Sequence, residues 1–458
     1  MASSIMKTAT YNIAQAIRGT KFEGKTYIVG GYVRELVRQR GEPKDIDIVV
    51  ELPNGGIELA SLLYKKLNTT KPVIFKKFGT AQIYCKDYNV DIELVMTRKE
   101  AYDFKTRNPV VEFGTINDDV VRRDFTINSL LYDISSDKLL DLTNNGLKDL
   151  KDKIIRTTGN PDVIFMEDPL RIMRAIRFAS QLGFQIEYNT ADAMKKYRKS
   201  LEMISEERIR DEFCKILTSR FYGYGLDYLV ELGILQYLIP EFTEMLKIKN
   251  QGKWHIKDAW NHTLEVISEI EPTLEHRLAA LLHDVGKGTT MTEDEKGDIH
   301  FYGHQAVSAL AARRFMRRYK FTNEQINKVF TAILMHMSFV DGMLDKTIRK
   351  KINQHGKELF LFCVDLAEAD SKSKQRLTIV QNIRDFVYTD KIEEEIKLPI
   401  NGNMVMEKYN LKPGPVIGKL LKAEKEALFD NPKLTIDELW VIIDKEVKNN
   451  YWDIELGY

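Results

Sequence analysis

Between residues 27 and 141 apolar side chains tend to recur at every second position. In DIDIVV (residues 45–50) Ile46 and Ile48 alternate with Asp45 and Asp47, and in VDIELV (residues 90–95) Val90, Ile92 and Leu94 alternate with Asp91 and Glu93. Alternation of this kind predicts strands with one buried face. TYIVGG, AQIYCKDY and SLLYDI extend the series, with a helical IELASLLYKKLN between them. From about residue 167 the apolar spacing becomes three and four, in RIMRAIRFASQLGF, ISEERIRDEFCKIL and LDYLVELGIL, which predicts amphipathic helices. A polar stretch at 247–253 marks a seam, and the histidines gather beyond it. The expected architecture is α+β. A small α/β head spans 1–140, an all-helical body 141–246, a helical histidine-rich domain 247–390, and a helical tail 391–458.

The polar faces of the two alternating strands are unusual. Aspartate is depleted in strands, yet Asp45 and Asp47 share one face of a segment otherwise built for a core. If that strand and the one carrying Asp91 and Glu93 are neighbours, three or four carboxylates crowd one patch. Like charges so close raise one another's pKa or repel, unless a cation sits among them. Oxygen-only ligands select a hard cation, Mg2+ above all. A strand whose acids merely face water is the plainer alternative. The upstream YIVGGYVRE weighs against it: a strand ends in Gly30-Gly31 and enters a helix, and N–H groups freed there cradle phosphate. A Gly-Gly pair alone is usually a turn. Joined to Asp45-x-Asp47 it describes a site for a nucleoside triphosphate and its metals, suited to phosphoryl or nucleotidyl transfer by a two-metal route.

Composition narrows the partners. A chain of 458 residues exceeds one core and divides into about two to four domains. Lys plus Arg number 68 against 67 for Asp plus Glu, so any nucleic acid is held by a local basic patch and not by net charge. The three cysteines, Cys85, Cys214 and Cys363, form neither a disulfide framework nor a metal knuckle, which fits a reducing cytosol. With no signal-like N-terminus and no apolar run approaching ~18 residues, the chain reads as a soluble cytoplasmic protein.

GGYVRE followed by KDIDIVV resembles the signature of the nucleotidyltransferase superfamily, and the motifs that follow resemble its class II tRNA nucleotidyltransferases, the CCA-adding enzymes and poly(A) polymerases. RRDFTINSLLYD (122–133) is similar to their ribose-checking motif, and DLTNNGLKDLKDKIIRT to the flexible connection after it. EDPLRIMRAIRF (167–178) is similar to the base-reading motif, and ISEERIRDE (204–212) to its supporting helix. The resemblance implies Asp45, Asp47 and Glu93 as catalytic acids, with Asp45 and Asp47 holding Mg2+; Asp91 is a weaker candidate than Glu93. It implies Gly30, Gly31, Arg34, Arg123, Asp124, Asn128, Asp168, Arg171 and Arg174 as the nucleotide site, with CTP, ATP and tRNA as partners. Helix capping by Asp124 or Thr126, and by Asp168 before Pro169, are the structural alternatives. Lys195, Lys196, Arg198 and Lys199 are candidates for gripping tRNA phosphates, or a solvated face.

A carboxylate three residues before a guanidinium places an acceptor beside donors. Cytosine and adenine both present an amino donor next to a ring-nitrogen acceptor, whereas uracil and guanine reverse the pair. One Asp168–Arg171 edge therefore accepts CTP and ATP and leaves UTP and GTP with unpaired groups.

His262, His283-Asp284, His304, His336 and Asp370 form the series H…HD…H…H…D on a helical background. Imidazole and carboxylate ligands suit a transition metal such as Mn2+ or Ni2+ with a hydrolytic water. The series resembles the HD-type metal-dependent phosphohydrolase domain that many bacterial CCA-adding enzymes carry, with phosphomonoesters or 2′,3′-cyclic phosphates as expected substrates. The chain departs from the family pattern at Glu35, where Asp is usual, at Ser129, where Ala is usual, and in DLTNNG, which lacks a proline. The expected function is tRNA CCA addition with an accessory phosphohydrolase. The alternatives are an A-adding, CC-adding or poly(A)-building relative, and a phosphohydrolase whose head only binds RNA.

Overall fold

The computed structural model describes residues 2–39, 45–76, 79–101, 110–249, 258–371, 373–389 and 398–449. The chain divides into two compact units, Met1–Tyr237 and Leu238–Tyr458. The expected head and body thus share one unit. The expected boundary at 246/247 falls inside the second unit, where the helix Phe242–Met245 packs on Lys287–Thr290. The seam at 247–253 lies partly, and the boundary at 390/391 wholly, outside the described residues.

Up to Leu140, the first unit carries nine strands among the described residues: β1 (Thr26–Val29), β2 (Asp45–Val50), β3 (Val73–Phe75), β4 (Thr80–Cys85), β5 (Val90–Met96), β6 (Arg98–Ala101), β7 (Val110–Phe113), β8 (Leu131–Asp133) and β9 (Lys138–Leu140). Seven form a sheet in the order β3-β4-β5-β2-β1-β8-β9, and β6 pairs with β7 apart from it. β2 and β5 run parallel; the other neighbours are antiparallel. The apolar half of each alternating pattern faces one way. Ile28, Ile46, Ile48, Ala81, Ile83, Ile92 and Leu94 are all buried, with the helix Gly55–Lys66 packed on β2, β4 and β5. A Cβ at Gly56 would lie 2.5 Å from the carbonyl oxygen of Leu94, so glycine sets how closely this helix meets the sheet.

Behind the sheet in sequence, the helix Leu170–Leu182 buries Ile172, Met173, Ala175, Ile176 and Ala179 against Glu206–Leu217 and Tyr222–Glu231. The segment expected as a flexible connection is instead built as the helix Gly146–Asp152 and a short strand at Ile154–Ile155. Its anchor is Asp149, 1% exposed, which accepts hydrogen bonds from Thr126 Oγ1 at 2.7 Å and Arg156 Nε at 3.0 Å. A buried carboxylate needs such partners, and here they tie the helix to Thr126 before the segment and to Arg156 near its end.

The second unit is helical. Ala259–Glu269, Leu274–Leu282, His304–Arg318, Asn323–Met335 and Lys357–Asp370 form its centre, and Asp258, Thr273 and Thr322 cap three of them by accepting backbone N–H groups. Gly402–Tyr409, Pro415–Asp430 and Ile436–Asn449 close around Ile400, Val405, Leu420, Leu439 and Ile443. Among the described residues no helix is long and apolar enough to cross a membrane.

Candidate active site and metal centre

Parallel pairing of β2 with β5 sets Asp45 opposite Asp91 and Asp47 opposite Glu93. The acids of both strands therefore share the face away from the apolar core. Burial pushes Asp47 up to about 6, Asp45 and Glu93 add to the rise, and Arg123 opposes it. A carboxyl so loaded with neighbouring negative charge fits a cation ligand. The three acids are not drawn into one tight cluster: among the described residues, the groups with ligand atoms within 4.8 Å of one another all lie in the second unit.

β1 delivers the glycines to the same place. Gly30 has φ 73°, and a Cβ there would lie 3.0 Å from Asp47 Oδ2. Both the turn and the acid therefore require glycine. The helix Gly31–Arg38 then carries Arg34 into a chain of side chains. Arg34 Nη1 donates to Asn128 Oδ1 at 2.7 Å, and Asn128 Nδ2 donates to Asp124 Oδ1 at 3.2 Å. Asp124 Oδ2 accepts from Arg174 Nε at 2.9 Å and Nη2 at 2.6 Å. Burial opposes the charge on Asp124, but Arg174 holds its carboxyl below the usual range. Neither capping alternative holds for this motif, because the short helix Thr126–Asn128 has no side-chain cap. Glu35 accepts from Arg34 Nε at 2.8 Å and from Arg38 Nη1 at 2.9 and 3.0 Å, so the longer acid ties two arginines together. Ser129 is buried and donates to the Phe125 carbonyl at 3.0 Å.

Three residues missed in the sequence support this pocket. Phe178 lies beneath the guanidinium carbons of Arg177, Arg34 and Arg174, at 4.2, 5.4 and 5.6 Å from its ring centre. Glu212 Oε2 pairs with Arg177 Nε at 2.7 Å. Asp119, 0% exposed, forks to Arg122 and Arg123, with Arg123 Nη2 at 2.8 Å. The i,i+3 and i,i+4 spacing of Asp119 to the two arginines was the available signal. Burial opposes the charge on Asp119, but Arg123 and Arg122 keep it low. Asp119→Ala leaves two guanidinium groups without their acid and lowers the melting temperature by roughly 6–12 °C, measured by calorimetry. The same pairing predicts acid sensitivity. With the folded-state pKa values of Asp119 and Asp124 depressed, their stabilisation is full above the ordinary carboxylate pKa and is lost as pH falls below about 4.

Asp168 and Arg171 are joined through the main chain, where the Arg171 N–H donates to the Asp168 carbonyl at 3.0 Å, but their side chains take separate partners. Arg171 is buried, and its Nη2 donates to the Arg122 carbonyl at 2.7 Å while Nη1 reaches the Ile164 carbonyl at 3.3 Å and Glu167 Oε2 at 3.2 Å. A buried guanidinium takes the nearest acceptors. Asp168 Oδ1 instead accepts from the Leu170 N–H at 3.1 Å, and its Oδ2 lies 3.5 Å from Arg208 Nη2. Lys195 and Lys196 end the helix Tyr188–Tyr197, and Arg198 and Lys199 begin the turn after it. Lys196 pairs with Asp162 at 3.0 Å.

In the second unit the six sequence-predicted residues converge. His262 sits on Ala259–Glu269, His283 closes Leu274–Leu282, His304 opens His304–Arg318, His336 closes Asn323–Met335, and Asp370 ends Lys357–Asp370. Their Nε2 atoms point at two carboxylates. His262 lies 2.9 Å from Asp370 Oδ1, His283 3.1 Å from Asp284 Oδ2, and His304 3.2 Å from Asp284 Oδ1. His336 Nε2 lies 3.3 Å from His304 Nε2. The Nδ1 atoms of His283, His304 and His336 meet the carbonyls of Ala280, Phe301 and Ile333 at 2.8, 2.8 and 2.6 Å. Main-chain contacts of this kind fix the Nε2 lone pair inward, as metal-ligating histidines require. His283 Nε2, Asp284 Oδ2 and Asp370 Oδ1 are buried without a well-aligned hydrogen bond. Two ligand groups, His262–His283–Asp284 and Asp284–His304–His336, share Asp284, and their mix of imidazole and carboxylate suits a transition metal. Lys287, also missed in the sequence, lies 2.6 Å from Asp284 Oδ2 and is 4% exposed.

Three family models match the chain: the poly A polymerase head domain over residues 26–156, the RNA and SrmB-binding site of polymerase A over 183–246, and tRNA nucleotidyltransferase domain 2 over 297–431. The chain is 30% identical over 444 residues to a CCA-adding enzyme of Ligilactobacillus salivarius, covering 95% of this chain and 93% of that protein. It is 27% identical over 418 residues to a CC-adding tRNA nucleotidyltransferase of Thermus thermophilus, covering 87% and 88%. Its fold is that of the Bacillus stearothermophilus CCA-adding enzyme solved in complex with CTP, with a TM-score of 0.66, 21% identity, and coverage of 98% and 99%.

Proposed function

The chain belongs to the class II CCA-adding enzyme and poly(A) polymerase family, and from that premise we propose that it adds or repairs the 3′-terminal CCA of tRNA with CTP and ATP, without a nucleic-acid template. The observation that carries this reading is the register that sets Asp47 beside Glu93, next to Gly30 and the arginine-lined pocket of Phe178. In the reaction the acceptor 3′-oxygen bonds to the α-phosphorus, the α–β phosphoanhydride bond breaks, and pyrophosphate leaves with the electron pair. Asp45 and Asp47 would hold magnesium, with Glu93 as the third acid beside them, and the metal when bound would supply charge neutralisation for that step. The protein's own groups orient the nucleotide. Gly30 and Gly31 open the helix for the phosphates, Arg34 and Arg123 supply positive charge, and Asp124 with Asn128 addresses the ribose. Arg174 holds Asp124 in place.

Base reading falls to Asp168 and Arg171 in this proposal, and it requires Arg171 to exchange Glu167 for the base edge. Lys195, Lys196, Arg198 and Lys199 contact tRNA phosphates. Residues 247–390 of the second unit form an HD-type phosphohydrolase domain in this proposal, a reading favoured by the convergence of four imidazoles on Asp284 and Asp370. Those six residues would hold a transition metal, which when bound supplies an activated water for phosphoester cleavage. Phosphomonoesters or 2′,3′-cyclic phosphates at RNA ends are its proposed substrates.

The test is incorporation of labelled CTP or ATP, with Mg2+, into tRNAs ending before CCA, after C and after CC. Addition of C and then A, with extension stopping at CCA, is the expected result. Incorporation of A alone identifies an A-adding or poly(A)-building relative, and arrest after CC a CC-adding one. Phosphoester hydrolysis without incorporation overturns the transferase reading.

A further inference from the structure

The polar row of the sheet does not end at the catalytic acids. Across β5 and β4, Gln82 stands opposite Glu93, on the side away from Asp47. One strand further, Val73 stands opposite Gln82, and Phe75 opposite Thr80. Phe75, Thr80, Gln82, Glu93 and Arg98 line a cavity of about 380 Å3, so the cavity and the catalytic cluster share Glu93. Its rim is β3, the edge of the sheet, where Val73, Ile74 and Phe75 are 55%, 42% and 46% exposed. Exposed sheet edges normally carry charge or lie under cover, so three apolar side chains in a row there need a purpose.

The nucleotide residues lie on the other flank. Gly30 and Arg34 follow β1, and Asp124 and Asn128 precede β8, both on the far side of β2 from β4. The transfer is an in-line displacement, with attacking and leaving oxygens on opposite sides of the phosphorus. With the triphosphate residues on the β1 flank, the β4 flank is the side left for the acceptor hydroxyl.

We propose that the cavity between Phe75 and Arg98 seats the 3′-terminal nucleotide of the RNA acceptor. Phe75 offers a face for the base, Arg98 a guanidinium for the phosphate, and Gln82 an amide for the ribose or base edge. The chemistry suits the task. A growing end presents a different last base at each round, and stacking on an aromatic ring tolerates any base because every base has a π-face. The nucleotide pocket on the β1 flank selects; the acceptor pocket only holds. This inference rests on the transferase reading and assigns a second subsite to it.

The experiment measures KM for tRNA and for CTP, with Mg2+ and the full chain, in wild type, Phe75→Ala, Phe75→Tyr and Gln82→Ala. Phe75→Ala is expected to raise KM for tRNA about tenfold, the scale of one lost base–aromatic stack. KM for CTP stays within about twofold, and Phe75→Tyr restores the wild-type value. Phe75 is half-exposed, so its truncation leaves the core intact, and equal melting temperatures verify it. An unchanged KM for tRNA in both alanine variants overturns the inference, as does an equal rise in both constants. Wild-type protein that incorporates no nucleotide overturns the transferase reading itself, and this subsite with it.

Discussion

Replacing Asp45 and Asp47 together by alanine lowers kcat for nucleotide incorporation by at least about a thousandfold, while tRNA binding stays within about twofold of wild type. The expectation follows from what the two acids do for the fold, which is nothing favourable. Asp47 is pushed up to about 6 by burial and by Asp45 and Glu93, a repulsion that Arg123 offsets only in part. Removing both acids relieves it, and the melting temperature of the metal-free double variant is expected at or above that of wild type. Most core substitutions lose activity and stability together, so the opposite movement of the two readouts separates a catalytic role from a structural one. A variant that melts early would mean the acids are structural. A variant that still incorporates nucleotide at the wild-type rate would remove Asp45 and Asp47 from the chemistry.

The polar face was readable because alternation is local: Asp-Ile-Asp-Ile announces its two faces in four residues. Which strand lies beside it was not readable, since β2 and β5 are parallel and far apart in sequence, and no turn sets their register. The convergence of the six residues of the second unit was legible from residue type alone. Their spacing says nothing of it, because five different helices bring them together. The least legible features are the arginines. Arg171 and Arg208 look alike in a helical pattern, yet Arg171 is buried among carbonyls and Arg208 stands beside Asp168. Edge strand β3 was also missed, because three apolar residues give too short a run to show a period.

Asp370→Asn is expected to weaken binding of Mn2+ or Ni2+ to the second unit by at least about a hundredfold, with CTP and ATP incorporation unchanged. Asp370 is the better probe than Asp284. Its carboxylate meets His262 at 2.9 Å and His283 at 3.5 Å, and the amide keeps its shape and can still accept a hydrogen bond. Asp284 also balances Lys287 at 2.6 Å, so its loss strands a buried ammonium and destabilises the domain for reasons unrelated to metal. Two measurements separate the metal centre from a buried ion-pair cluster. Metal content after exhaustive dialysis reports occupancy, and the rise in melting temperature on adding Mn2+ or Ni2+ reports binding to the folded state. Wild type should show both and Asp370→Asn neither. If wild type retains no metal and gains no stability from either ion, then Asp284 and Asp370 only neutralise the histidines and Lys287 around them. The second unit would then be a scaffold held by a buried salt-bridge cluster. If the ions bind and phosphoester hydrolysis follows their occupancy, the unit is a second enzyme on the same chain as the transferase.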